Sequence, residues 1–120
     1  MSTLPIIDPE AIQTLRDLNP GDNDEFLRDI TGIFLEDTPL RIKELETSLE
    51  KGDAPTFVRA AHTIKGSSSN LGALALRATA ERLEYQSRTS GLVDVATDIA
   101  ALKNEFAVLQ VELQKIVQSA

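Results

Sequence analysis

The chain has 120 residues, of which 42% are hydrophobic and none is cysteine, and it carries a formal net charge of −7. These properties suit one domain, residues 1–120, with a single apolar core and no disulfide bonds. The negative charge opposes binding to nucleic acid or to an anionic membrane surface, and no apolar run is long enough to span a bilayer. We therefore expect a soluble cytoplasmic protein whose partners are other proteins.

The first half of the chain predicts a short helix followed by a long one. Asp8 is suited to cap a helix of about residues 8–18 that has Pro9 in its first turn. The segment Asn19-Pro20-Gly21 interrupts the helix, and Asp22-Asn23-Asp24-Glu25 has a variant of the capping-box pattern. A second helix is therefore predicted from this segment to about Lys51.

The second predicted helix contains a proline and a set of apolar positions at helical spacing. Pro39 lacks a backbone N–H and crowds the preceding turn, which predicts a bend near Thr38-Pro39. The apolar positions that continue the helical periodicity are Phe26, Ile30, Ile33, Phe34, Leu45 and Leu49.

The second half of the chain predicts three more helices. Gly52 ends the second helix, and Asp53 caps a third helix that tolerates Pro55 in its first turn. Gly72 terminates the third helix, and a fourth ends near Ser90-Gly91 with Leu76, Ala80 and Leu83 on its apolar face. The last segment has an apolar seam at spacings of three and four: Leu92, Val95, Ile99, Leu102, Phe106, Leu109, Leu113 and Ile116.

These elements predict an all-α fold, an antiparallel up-down four-helix bundle with a short additional N-terminal helix that covers one end. The bundle core is expected over about residues 22–118. The regular seam of the last helix is also compatible with a coiled-coil dimer. We favour packing within one monomer, because the other amphipathic helices also need somewhere to bury their apolar faces.

The third predicted helix contains the only histidine of the chain, His62. An ideal helix advances ~100° per residue, so its apolar stripe forms on one side and His62 lies ~140° away from the centre of that stripe. The stripe comprises Phe57, Ala61, Ile64, Ser68 and Leu71. Gly66 and Ser69 also point to water, and Lys65 lies at the border.

The residue types exclude several kinds of chemistry. One histidine without cysteine falls short of the ligands that a zinc or iron site requires, and no cofactor is expected on this chain. No phosphate-binding loop, nucleophile elbow or kinase motif set is present, so the chain lacks the means to use ATP by itself.

A solvent-facing imidazole remains as a nucleophile that can attack phosphorus. Lys65 supplies a countercharge for a phosphoryl group, and Gly66 leaves room for another protein one turn from His62. The residues alone also permit plainer interpretations: a surface histidine, a solvated lysine, a glycine at a helix contact, and serines 67–69 that allow close helix packing.

The segment His62-Thr63-Ile64-Lys65-Gly66-Ser67-Ser68-Ser69-Asn70-Leu71-Gly72-Ala73 resembles the signature of the histidine-containing phosphotransfer (HPt) domain family of two-component phosphorelays. Weaker similarity extends over residues 20–115 and includes Phe34-Leu35-Glu36-Asp37-Thr38-Pro39, Gly52-Asp53 and Arg82-Leu83-Glu84. The resemblance implies a four-helix bundle with an exposed, phosphorylatable histidine midway along one helix.

The resemblance also implies a role for individual residues. His62 would accept a phosphoryl group from an aspartate of a response-regulator receiver domain and pass it to another receiver. Lys65 would stabilise the phosphate, Gly66 would keep the docking surface open, and Ser69 would hydrogen-bond nearby. Glu84 and Arg88 are candidates for a polar side chain that some members place beside the phosphoacceptor.

Mg²⁺ is expected on the partner receiver, and a hybrid sensor histidine kinase is an expected further partner. Two alternatives stay open: an interaction domain that is never phosphorylated, and the phosphotransfer portion of a larger hybrid kinase. The initial methionine favours a stand-alone protein over the latter.

Overall fold

The computed structural model describes residues 5–18 and 21–118, and every regular element within them is an α-helix. The helices are α1 (Pro9–Leu18), α2 (Glu25–Lys51), α3 (Ala54–Leu71), α4 (Leu74–Ser90) and α5 (Ala96–Gln118). The predicted all-α fold is confirmed. None of these helices combines the length and the apolar character that crossing a membrane requires. The predicted interruption at Asn19 and Pro20 lies outside the described residues.

Aspartate side chains accept hydrogen bonds at the starts of α1, α2 and α3, as predicted. Asp8 accepts a hydrogen bond of 3.0 Å from an amide in the first turn of α1, and Asp53 accepts one of 3.2 Å from the first turn of α3. Asp22 likewise accepts a 3.1 Å bond from Phe26 N–H at the start of α2. Because free amides at a helix start need acceptors, these contacts explain why the helices begin there.

The helices α2, α3, α4 and α5 form a ring in which each packs against two others, and α1 packs against α2 and α3. The helices α3 and α4 are antiparallel, since His62 contacts Glu84 whereas Ser69, later in α3, contacts Arg77, earlier in α4. The predicted four-helix bundle with an additional N-terminal helix is therefore confirmed.

Gly72 allows α1 to approach the end of α3. Its φ of +68° lies in the left-handed region, and a Cβ atom at this position would collide with the side chain of Ala11. The Asp8 N–H donates a 2.8 Å hydrogen bond to the Gly72 carbonyl, which fixes α1 against this turn.

The predicted buried face of α2 is partly wrong. Ile33 is 66% exposed, and Phe26, Ile30 and Leu49 are only half-buried. The buried residues are Leu27, Thr31, Phe34, Thr38, Ile42, Leu45 and Ser48. Polar residues therefore occupy core positions that an apolar pattern cannot reveal, and Ser48 satisfies its hydroxyl by donating to the Glu44 carbonyl at 2.6 Å. The helix continues through Pro39, and the bend there stays a prediction.

The apolar seam of the last segment is buried as predicted at Val95, Ile99, Leu102, Phe106, Leu109 and Leu113. Its first part is not helical, however, because α5 begins only at Ala96. Asp94 has a φ of +60°, a left-handed conformation that is incompatible with a helix running through this position. Leu92 and Val95 therefore reach the core from the connection between α4 and α5.

Candidate functional site

The outward face of α3 carries the residues that the sequence predicted to point to water. The His62 side chain is 60% exposed, and Gly66 and Ser69 are also exposed. Every member of the predicted stripe on the opposite side of α3 is buried, including Phe57 and Ala61, each with 0% exposure. The burial of this stripe holds α3 in one rotational setting, and that setting keeps His62 at the surface.

Glu84 on α4 organises the site. Its side chain is only 6% exposed, and three basic side chains surround its carboxylate. His62 Nδ1 lies 2.8 Å from Oε2, Arg88 Nη2 lies 2.9 Å from the same oxygen, and Lys65 Nζ lies 2.6 Å from Oε1. A buried carboxylate is costly unless it is paired and hydrogen-bonded, and this arrangement meets that condition.

The pKa of Glu84 is lowered from its ordinary value of 4.5. Burial is the largest influence and raises the pKa, but hydrogen bonds and charge interactions with Lys65 and His62 together outweigh it. Glu84 is therefore ionised at neutral pH, and an ionised carboxylate can only accept hydrogen bonds. It follows that Nδ1 of a neutral His62 carries the proton and that Nε2 carries the free lone pair.

The lowered pKa of Glu84 predicts a pH-dependent contribution to stability. A carboxylate whose pKa is lower in the folded state stabilises the fold above its unfolded pKa and loses this contribution as the pH falls through the folded value. We expect the free energy of unfolding of the wild type to decrease relative to that of Glu84→Gln between about pH 5 and about pH 3. Urea unfolding of both proteins across this range measures the difference, and a difference that stays constant would contradict the proposed charge network.

Ser69 does not join the cluster around Glu84. Its hydroxyl donates to the Lys65 carbonyl at 3.0 Å and accepts a 2.8 Å hydrogen bond from Arg77 Nε. Ser69 therefore links the end of α3 to α4 on the same exposed face as His62. The hydrogen bonds of Ser69 are thus made with Lys65 and Arg77, and its hydroxyl does not contact the imidazole of His62.

Gly66 provides open space beside His62. A Cβ atom built at this position meets nothing within 4 Å, so the absence of a side chain is not explained by packing inside the protein. A groove next to it, between α2 and α3, is lined by apolar side chains such as Ile33 and Phe34 together with Asp37, Ser67 and Asn70.

Sequence reasoning included Glu84 only as a loose candidate, although it is the centre of the site. One signal was available. In an ideal helix Glu84 lies about 40° from Ala80 and about 60° from Ser87, which places a charged residue on the buried face of α4. Such a residue needs partners, and the structure supplies them from α3. Within residues 5–18 and 21–118, no group of three His, Cys, Asp or Glu side chains is arranged to hold a metal ion.

A model of the Hpt domain family matches residues 29–114, which is more than half of the chain. The chain belongs to the Hpt family. A search of curated protein sequences finds no match. The Hpt assignment confirms the resemblance of the His62 segment, and the matched range lies within the predicted residues 20–115.

Solved structures of HPt proteins have the same fold. The histidine-containing phosphotransfer protein HptB from Pseudomonas aeruginosa is 27% identical, with a TM-score of 0.88, and the match covers 98% of this chain and 99% of that one. A putative HPt protein from rice, 24% identical, has a TM-score of 0.81 over 94% of this chain and 80% of its own. The HPt domain of a sensor hybrid histidine kinase from Shewanella, 16% identical, has a TM-score of 0.77 and 96% coverage of both chains.

The chain therefore has the role of an HPt protein, which is to transfer phosphoryl groups in a two-component phosphorelay. HPt domains are phosphocarriers that work with response-regulator receivers and histidine kinases.

Proposed function

We propose that His62 is the phosphoacceptor and that Nε2 is the attacking atom. The observation that supports this assignment is the 2.8 Å contact between Nδ1 and the buried Glu84 carboxylate, combined with 60% exposure of the imidazole. The contact occupies Nδ1 and leaves Nε2 directed away from Glu84. No other histidine is present in the chain.

The reaction at His62 is a displacement at phosphorus. The Nε2 lone pair forms the N–P bond while the bond between phosphorus and the aspartyl oxygen of the donor breaks, and the donor aspartate leaves as a carboxylate. The Nδ1 proton stays in place, so positive charge develops on the imidazole ring. The adjacent Glu84 carboxylate stabilises this charge and keeps the ring in one orientation.

Lys65 and Arg88 are placed to exchange partners during the reaction. Both contact Glu84 before transfer, and their side chains are 29% and 59% exposed. An incoming phosphoryl group carries negative charge that attracts both cations. We infer that Lys65 holds the phosphoryl group and that Arg88 supports it, while Glu84 retains its hydrogen bond with His62.

Further parts of the proposal concern the partners. Mg²⁺ belongs to the receiver domain and not to this chain, which contributes the nucleophile and the surrounding cations. The donor and the acceptor are receiver aspartates, and a hybrid sensor histidine kinase supplies the phosphoryl group upstream. The chain acts as a cytoplasmic monomer and as a carrier without kinase activity of its own.

Gly66 offers a specific test of docking. We expect Gly66→Gln to increase stability by about 0.5–1 kcal/mol, because glutamine is a better helix former, and to slow transfer from a receiver about tenfold or more, because the new side chain separates the reacting atoms. Urea unfolding and the second-order transfer rate measure the two effects.

Gly32 on α2 provides the matched control, since it is also helical, exposed and without neighbours within 4 Å of an added Cβ. Gly32 lies about 140° around α2 from Asp37, and Asp37 is one of the residues that line the groove between α2 and α3. Gly32→Gln should therefore gain the same stability and keep the wild-type transfer rate. Equal transfer rates in the two variants would contradict the role of Gly66.

The direct test of the proposed function uses a panel of phosphorylated receiver domains with radiolabelled phosphate. Transfer of an acid-labile, base-stable label to this chain supports the phosphohistidine assignment. Binding to receivers without transfer, from donors that are active toward another HPt protein, would indicate an interaction domain that is not phosphorylated.

A further inference from the structure

The charges of this chain are segregated between its helices. Together α3 and α4 contain five Lys and Arg residues and two Asp and Glu residues, whereas the rest of the chain contains seven and seventeen. The net charge is therefore +3 on these two helices and −10 elsewhere. The helix α3 contains no acidic residue at all.

The basic residues lie around His62. Arg59 is exposed three residues before it on α3, and the Arg77 and Arg88 side chains on α4 are 46% and 59% exposed. The two acidic residues of these helices are already paired, Glu84 within the cluster described above and Glu81 with Arg77 at 3.6 Å. These two acids offset part of the positive charge of α3 and α4, and the remaining excess is the net +3 given above.

The neighbouring helix α2 has the opposite sign. It contains seven acidic and four basic residues, and Asp37 and Glu44 on it both contact Arg41. Arg82 lies about 160° around α4 from Glu84 and pairs with Asp98 on α5 at 3.6 Å. The basic surface near His62 therefore consists of Arg59, Lys65, Arg77 and Arg88, which we call the α3–α4 basic face.

We propose that the α3–α4 basic face steers an acidic surface of the receiver onto His62 during association. This inference rests on the proposed function and adds the recognition step. A protein site that binds Mg²⁺ next to a phosphoaspartate is built from carboxylates, so its surroundings are negatively charged. The basic face attracts such a surface, and the acidic remainder of the chain repels it in other orientations.

The experiment compares two double variants that change the net charge equally. Arg59→Glu with Arg77→Glu alters the basic face, and Lys103→Glu with Lys115→Glu alters α5, where the two lysines pair with Glu46 and Glu112. The association rate with a receiver, and the transfer rate at saturating receiver, are measured at several salt concentrations. Urea unfolding establishes that both variants are folded.

We expect the basic-face variant to associate at least tenfold more slowly at low ionic strength, with the difference shrinking as salt increases. The α5 variant should stay within about twofold of the wild type, and transfer at saturation should be unchanged in both. The neutral pair Arg59→Gln with Arg77→Gln should give an intermediate rate, which keeps the test valid if charge reversal disturbs folding.

Equal slowing of association in both double variants, or no slowing in either, would overturn the proposed steering by the basic face. The proposed function would still stand in that case, provided that His62 of the wild type is phosphorylated. Absence of phosphorylation in the wild type, with active donors, would overturn both.

Discussion

Replacing His62 with glutamine is expected to abolish phosphorylation of the chain and to leave the fold intact. The side chain is 60% exposed, so few packing contacts are lost, and glutamine retains an amide that can donate to Glu84. The amide nitrogen has no lone pair available for attack on phosphorus, and the chain holds no second histidine. Transfer should therefore fall below detection, while the urea unfolding midpoint stays near that of the wild type.

The measurement is the transfer of labelled phosphate from a phosphorylated receiver, with wild type and His62→Gln side by side. Binding of the receiver serves as the control, because the variant should still associate through the surrounding surface. Labelling of the variant at the wild-type rate would show that another residue accepts the phosphoryl group.

Replacing Glu84 is expected to have the second largest effect. Glu84→Ala removes the acceptor of Nδ1 and the negative charge next to the imidazole, so we expect phosphorylation to slow about 100-fold, as when a group that orients a reacting histidine is removed. Glu84→Gln keeps an oxygen acceptor but loses the charge, and about tenfold slowing is expected. Single-turnover transfer at saturating receiver measures both effects without a contribution from docking.

Glu81 provides the matched control for this experiment. It lies on the same helix one turn earlier, its side chain is 54% exposed, and it contacts Arg77 but not His62. Glu81→Ala removes the same charge from α4 and should transfer at the wild-type rate in single turnover. Wild-type rates in Glu84→Ala would remove Glu84 from the mechanism.

Much of the fold was predictable because the signals are local. Asp8 and Asp53 accept hydrogen bonds from helix starts, and Gly52 and Gly72 adopt left-handed conformations at helix ends. These functions depend on residue type and on the neighbouring backbone, so sequence alone reveals them. The exposed setting of His62 was predictable for a similar reason, since it follows from the spacing of apolar residues within one helix.

The predictions failed where burial depends on other helices. Ile33 was expected in the core but is exposed, whereas Thr31 and Thr38 are buried on α2. The apolar seam correctly predicted that Leu92 and Val95 pack against the core, but it wrongly predicted that they belong to a helix. A residue in a connection between helices can reach the core as well as a helical residue can.

The candidate site shows the same division. His62, Lys65 and Gly66 share one helix and were placed by spacing alone. Glu84 joins them from 22 positions further along the chain, and its hydrogen bond to His62 forms only once α3 and α4 pack together. Sequence spacing could not determine this contact, nor that Arg88 shares the same carboxylate oxygen.

The most direct test of the account is to determine which atom of the phosphorylated protein carries the phosphoryl group. Heteronuclear NMR of the isotopically labelled wild type, after transfer from a receiver, distinguishes the two imidazole nitrogens through their couplings to phosphorus. The account predicts phosphorylation at Nε2 of His62, with Nδ1 still protonated and hydrogen-bonded to Glu84. Phosphorylation at Nδ1, or on any residue other than His62, would contradict it.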